Sequence, residues 1–168
     1  MKNARLFWVL FFIVLITAAA YSNNGNLGIS INESSIQEQV EAYMEYFGNY
    51  YSNSAANIDV MLVSDNIEIY FEMFVPNGNN RLINGTYNIS RASNDNHRPF
   101  TFSYGEIYLD DDDYEVIGGS ITITSSGSGA NISYNIDFNL TLEDDYGRTR
   151  TATGSYRGSF VWDDYSGD

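Results

Sequence analysis

Two acidic residues, Asp59 and Glu72, lie in neighbouring segments whose apolar residues alternate. Pairing those segments sets the two carboxyls opposite each other. Mutual repulsion drives the pKa values of such a pair apart, so one acts as acid while the other acts as base or nucleophile, as in glycoside hydrolysis. The plainer alternative is a pair of carboxylates facing water, because two-carboxylate chemistry also needs a cleft. Asp110, Asp111, Asp112 and Asp113, followed by Glu115, form the densest set of hard oxygen ligands and are the candidate site for calcium. The run lacks the acid-x-acid-x-acid-Gly layout of an EF-hand loop, which favours a solvated tip over a metal site. His97, beside Arg98 and Pro99, is a candidate base for a serine nucleophile, but no nucleophile elbow surrounds it and a loop histidine is the simpler reading. Tyr104, Tyr108, Tyr114, Trp162 and Tyr165 have faces able to stack on sugar rings, although most such residues serve as core or rim.

Inventory removes other chemistries. Lys2 is the only lysine, His97 the only histidine, and cysteine is absent. Schiff-base catalysis, a lysine-bearing phosphate loop, a cysteine nucleophile and a zinc site built on cysteines or several histidines are therefore excluded for the chain beyond residue 20. No cofactor other than the candidate calcium ion is expected. Asn-x-Ser/Thr matches at Asn32, Asn84, Asn88, Asn131 and Asn139 are expected of so Asn/Ser/Thr-rich a chain.

The first twenty residues read as a secretory signal peptide. Lys2 and Arg5 precede an apolar run from Leu6 to Ile16, and Ala18, Ala19 and Ala20 offer a cleavage site after Ala20. Eleven apolar residues rising about 1.5 Å each cover only half of a hydrocarbon core of about 30 Å, too little for a stable span. A lipoprotein signal would place a cysteine at the cleavage point, so a periplasmic or secreted protein without a lipid anchor is expected. The chain carries a net charge of -14; residues 1–20 hold two of its eight basic residues and no acidic one, which leaves -16 on the remainder. Such a surface repels nucleic acid and anionic headgroups.

The elements that must position the candidate residues are strands. Residues 21–35, rich in Asn, Ser and Gly, are expected as a flexible leader, with a single β-domain over 36–168. Residues 36–47 fit either a helix behind a Ser35–Glu38 capping box or a strand, and the strand is favoured. Ile58, Val60 and Leu62 alternate, Asp65-Asn66 makes a two-residue turn tolerant of positive φ, and Ile67, Ile69, Phe71 and Met73 alternate again. That hairpin pairs Leu62 with Ile69, Val60 with Phe71, Ile58 with Met73, and Asp59 with Glu72. Further strands are expected at 85–91 and from Phe100 to Tyr104, with a polar loop over 92–98 and a tip at Asp110 to Asp113. Ile121 and Ile123 belong to another.

The run from Ile132 to Leu142 alternates without a break, and a loop at Asp145-Tyr146-Gly147 puts Gly147 in the left-handed position. The resulting register sets Leu140 against Ala152, Phe138 against Gly154, Ile136 against Tyr156, Tyr134 against Gly158 and Ile132 against Phe160. Glycines facing rings relieve crowding where a long strand bends. The expected fold is all-β, an antiparallel barrel (lipocalin-like) or strongly curved sandwich of about 8–10 strands.

The stretch GGSITITSSGSGANISYNIDFNLTLEDDYGRTRTATGSYRGSF, residues 118–160, resembles the C-terminal half of small exported β-proteins common in gut Bacteroidetes. Those proteins repeat a GG-strand-turn-strand-DG-turn-TGTY-strand pattern, and Asn84-Gly85-Thr86-Tyr87 resembles their upstream G-T-Y strand. The resemblance implies an exported β-fold and no site residues. These relatives are mostly lipoproteins, whereas this chain lacks the lipid-bearing cysteine. The function expected is a non-enzymatic domain that binds a glycan or small molecule or serves as an accessory module. A carboxylate-based glycoside hydrolase and a carrier of an apolar ligand inside the barrel are the alternatives.

Overall fold

Alternation of side chains produces ten strands in the computed structural model, which describes residues 24–32, 34–49, 54–91, 97–110, 112–129 and 131–167. They are β1 (Asn24–Ile31), β2 (Ser34–Gly48), β3 (Ala55–Val63), β4 (Ile67–Pro76), β5 (Gly85–Ile89), β6 (Thr101–Leu109), β7 (Asp112–Ser126), β8 (Ser133–Asp144), β9 (Thr149–Gly158) and β10 (Val161–Asp164). The fold is all-β, as the periodicity requires. The signal-peptide segment lies outside the described residues.

The strands form one sheet in the order β1-β9-β8-β7-β5-β6-β4-β3-β2-β10, and a further pairing of β1 with β2 closes the hydrogen bonds into a ring. Two long strands make closure possible. The first half of β2 pairs with β1 while its second half pairs with β3 on the other side, and β7 likewise meets β6, β5 and β8 along its length. In β2 the change of neighbour falls at Glu41, whereas in β7 it falls at a register shift between Val116 and Gly118, where an extra residue bends the strand. Inside the ring, Phe71 meets Phe102 at 6.0 Å and Phe138 at 6.4 Å, so aromatic rings fill the middle.

The hairpin of β3 and β4 has the expected register: Ile58 faces Met73, Asp59 faces Glu72, Val60 faces Phe71 and Leu62 faces Ile69. Its turn is built differently. Neither Asp65 nor Asn66 has positive φ; instead the Ser64 hydroxyl accepts from the backbone N–H of Asn66 and of Ile67, both at 3.3 Å. A side-chain acceptor thus holds the turn without a left-handed residue. In the hairpin of β8 and β9, Gly147 has φ 75° and donates to Asp144 O at 2.8 Å. Register matches from Leu140–Ala152 to Tyr134–Gly158, where the ladder stops. Ile132 and Phe160 are not paired.

Two expectations are corrected. Part of the flexible leader is β1, which pairs with β2 and with β9; Leu27, Ile29 and Ile31 are buried. Its alternation is masked by the Asn, Gly and Ser between. The acidic tip is shorter than the run of aspartates. Only Asp110 of the described members is a turn residue, whereas Asp112 and Asp113 already pair with Leu109 and Tyr108.

Candidate functional site

The outward faces of β2, β3 and β4 carry a row of acids. Register places Glu45 beside Asp59 and Asp59 beside Glu72, while Asp163 of β10 flanks Glu45. Tyr70 donates its phenol to Asp59 Oδ2 at 2.6 Å, and Asn57 Nδ2 donates to Oδ1 at 3.1 Å. The Ser103 hydroxyl of β6 donates to Glu72 Oε2. Burial pushes the Asp59 carboxyl up to about 7; the Tyr70 bond opposes this, repulsion from Glu72 adds to it, the Asn57 bond opposes it and Glu45 adds again. Burial, then repulsion from Asp163, also raises Glu45. The Tyr70 phenol is raised by burial and by Asp59, which keeps it a donor.

The sequence-predicted pair is therefore assembled, with one proton held near neutrality. Chemically the row can store and release that proton. Asp59 spends both oxygens on its own sheet, which leaves it poorly placed to reach a substrate oxygen.

The other candidates disperse. Pleating sends Asp112 and Asp113 to opposite sides of β7, and Glu115 forms an ion pair with Arg91 at 3.1 Å. Asp111 lies outside the described residues. Among the described residues no group of three His, Asp or Glu side chains stands together to hold a metal ion. His97 is buried and stacks on Phe74, with centroids 4.1 Å apart and planes 2° apart. Ser54 donates to the backbone carbonyl of His97 at 3.0 Å. Tyr104 lies edge-on to Tyr70 at 5.9 Å, Tyr108 donates to Glu106 at 2.7 Å, Tyr114 is core, and Tyr165 stacks on Phe47 at 5.6 Å.

Trp162 opens on a cavity. It lies at the end of the ring opposite the 65–66 and 145–147 turns, beside the point where the β8–β9 ladder stops. The volume is about 320 Å³. Met44, Ile132, Tyr134, Phe160, Trp162 and Arg81 line the cavity. Phe160 stands edge-on to Tyr134 at 5.3 Å and tilts against Tyr156 at 5.1 Å. The Arg81 guanidinium lies over the Trp162 ring at 5.5 Å and donates through Nη1 to Gly129 O at 2.6 Å; Trp162 Nε1 donates to Asn80 O at 2.9 Å. These bonds tie the 77–84 loop, the 127–132 turn and β10 together.

Sequence reading named Trp162 but missed Arg81, Tyr134 and Phe160 as neighbours. The signal was the break in register: Ile132 and Phe160 look paired by counting, yet the chain leaves the ladder at Gly158. Gly158 has no room for a side chain, since an added Cβ would fall 2.5 Å from the Tyr156 hydroxyl and 2.7 Å from Gly25 Cα. Tyr156 thus covers Gly158, and Tyr134 is left to wall the cavity.

Fold and site together define an all-β domain with a ring of nine strands, β10 added alongside β2, and an aromatic cavity at one end. No protein-family model, curated protein or solved structure matches the chain.

Proposed function

We propose that this chain is an exported, non-enzymatic binding domain that holds a small molecule or a terminal sugar of a glycan in the Trp162 cavity. The observation that carries the reading is the cavity itself. Its volume of about 320 Å³ lies at the small end of the range for ligand pockets, roughly 300–1,000 Å³, and aromatic side chains stand in it beside the polar groups of Arg81 and Tyr134, a mixture that such sites use. The interior is filled by Phe71, Phe102 and Phe138, so the ligand sits at the end of the ring rather than along its axis. Export rests on the N-terminal sequence.

Native mass spectrometry and isothermal titration of the protein against a panel of monosaccharides and small acids test the reading. Saturable one-to-one binding that weakens at least tenfold in Trp162→Ala is expected. Absence of binding throughout the panel would leave a purely structural role.

A second reading is favoured by one observation, the proton held on Asp59 beside Glu72, which is the acid–base split a glycoside hydrolase needs. Turnover on a polysaccharide panel that disappears in Glu72→Gln would replace the binding reading with this one.

A further inference from the structure

We infer that the cavity selects an organic anion, a carboxylate on a ring-sized body, with Arg81 and Tyr134 reading the carboxylate. This rests on the binding reading above and goes beyond it in fixing the charge of the ligand.

The chain holds 22 acidic residues against eight basic ones, so an arginine here has many carboxylates to choose from. Arg91, Arg148 and Arg150 each pair with one, at 3.1, 2.7 and 3.4 Å. Arg81, like Arg98 and Arg157, is in no ion pair among the described residues, but Arg81 lines the cavity, whose described lining residues include no acid. Its guanidinium is fixed instead by a neutral carbonyl, Gly129 O, and by the Trp162 face. Both partners orient the fork and leave its charge uncompensated, and a planar fork matches a carboxylate with two parallel bonds.

Tyr134 supplies a second polar group. Its side chain is 4% exposed, its hydroxyl makes no hydrogen bond among the described residues, and it lines the same cavity. Burial raises its pKa while the nearby Arg81 charge lowers it, so the two groups sense each other and the phenol remains a donor. A donor and a cation that line one cavity and feel each other's charge fit a group that only accepts. Phe160 and Trp162 then provide faces for the body of the ligand.

The acidic surface does not cancel this preference. At physiological ionic strength charges are screened beyond about 8 Å, so Arg81 dominates its own rim. Asp164, two residues from Trp162, is engaged by the Ser166 backbone N–H at 3.0 Å and hydroxyl at 2.7 Å.

The chain has two tryptophans, Trp8 and Trp162, so a full-length Trp8→Phe protein reports the cavity by fluorescence. Titration with glucuronate, glucose, benzoate and benzyl alcohol is expected to show at least one acid binding tenfold or more tighter than its neutral partner. The acid that binds identifies the body as a uronic sugar or an aromatic ring. Arg81→Gln should abolish the preference, and Tyr134→Phe should weaken the acid several-fold without affecting the neutral partner. Should Arg81→Gln not fold, the wild-type protein gives the same answer through salt: acid binding must weaken with ionic strength. Equal binding of acids and neutral partners, unmoved by salt, would overturn the anion inference and leave the binding reading standing. No fluorescence change with any of the four would overturn both.

Discussion

Asp59 is the residue at which burial and hydrogen bonding contend most directly. Its carboxyl is pushed up to about 7 chiefly by burial, against an ordinary value near 3.9 in an unfolded chain. Between those values the folded protein binds more protons than the unfolded chain, so stability falls as pH rises from about 4 to about 7, by up to roughly 1.4 kcal/mol per pH unit for this one group. Above pH 7 its contribution is flat. Asp59→Asn keeps an oxygen to accept from Tyr70 and removes the charge. Denaturant melts across this range should show the variant losing the downward slope and exceeding the wild type in stability at pH 8. The pairing behind this prediction was legible in the sequence because alternation on both sides of Asp65-Asn66 fixes which residues face each other. The burial of Asp59 was not legible, since it depends on Tyr70, Asn57 and Glu45 closing round it.

At the level of elements, β1 is the clearest test of how the ring closes. Leu27, Ile29 and Ile31 alternate inward, but Gly25 and Gly28 thin the pattern until it reads as a leader. Gly25 is required by packing: a Cβ there would lie 2.1 Å from the buried ring of Tyr156. Gly25→Ala should destabilise the fold by about 1–3 kcal/mol through overpacking, measured by thermal or urea melts. A flexible segment would register less than about 0.5 kcal/mol. The hairpin of β8 and β9 was legible almost to its end because one face of it is wholly core. It became illegible where Gly158 leaves the ladder, since the position of Phe160 is decided by Tyr134 and Tyr156 rather than by its own spacing. Phe138→Ala, which empties the contact with Phe71 at the centre of the ring, should cost about 3–5 kcal/mol in the same melts.

For the whole molecule, the ring of strands determines where a ligand can sit. Aromatic side chains fill its middle, turns of two or three residues close one end, and the longer loops at the other end leave the cavity lined by Tyr134, Phe160 and Trp162. Fold class and the registers of the β3–β4 and β8–β9 hairpins followed from period-two alternation, a local property. The cavity brings together residues 44, 81, 134, 160 and 162, and no local pattern relates positions so far apart. On the export side, intact-mass analysis of protein expressed with its native N-terminus should give a chain beginning at Tyr21; retention of residues 1–20 would argue against cleavage after Ala20.

The central claim, that the Trp162 cavity rather than the Asp59 row is the functional site, is tested most directly by amide and indole chemical-shift mapping during titration with a ligand that binds. The account predicts shifts concentrated at Arg81, Tyr134, Phe160 and the Trp162 indole N–H. Shifts clustered instead at Asn57, Asp59, Tyr70, Glu72 and Ser103, with the indole unmoved, would contradict it.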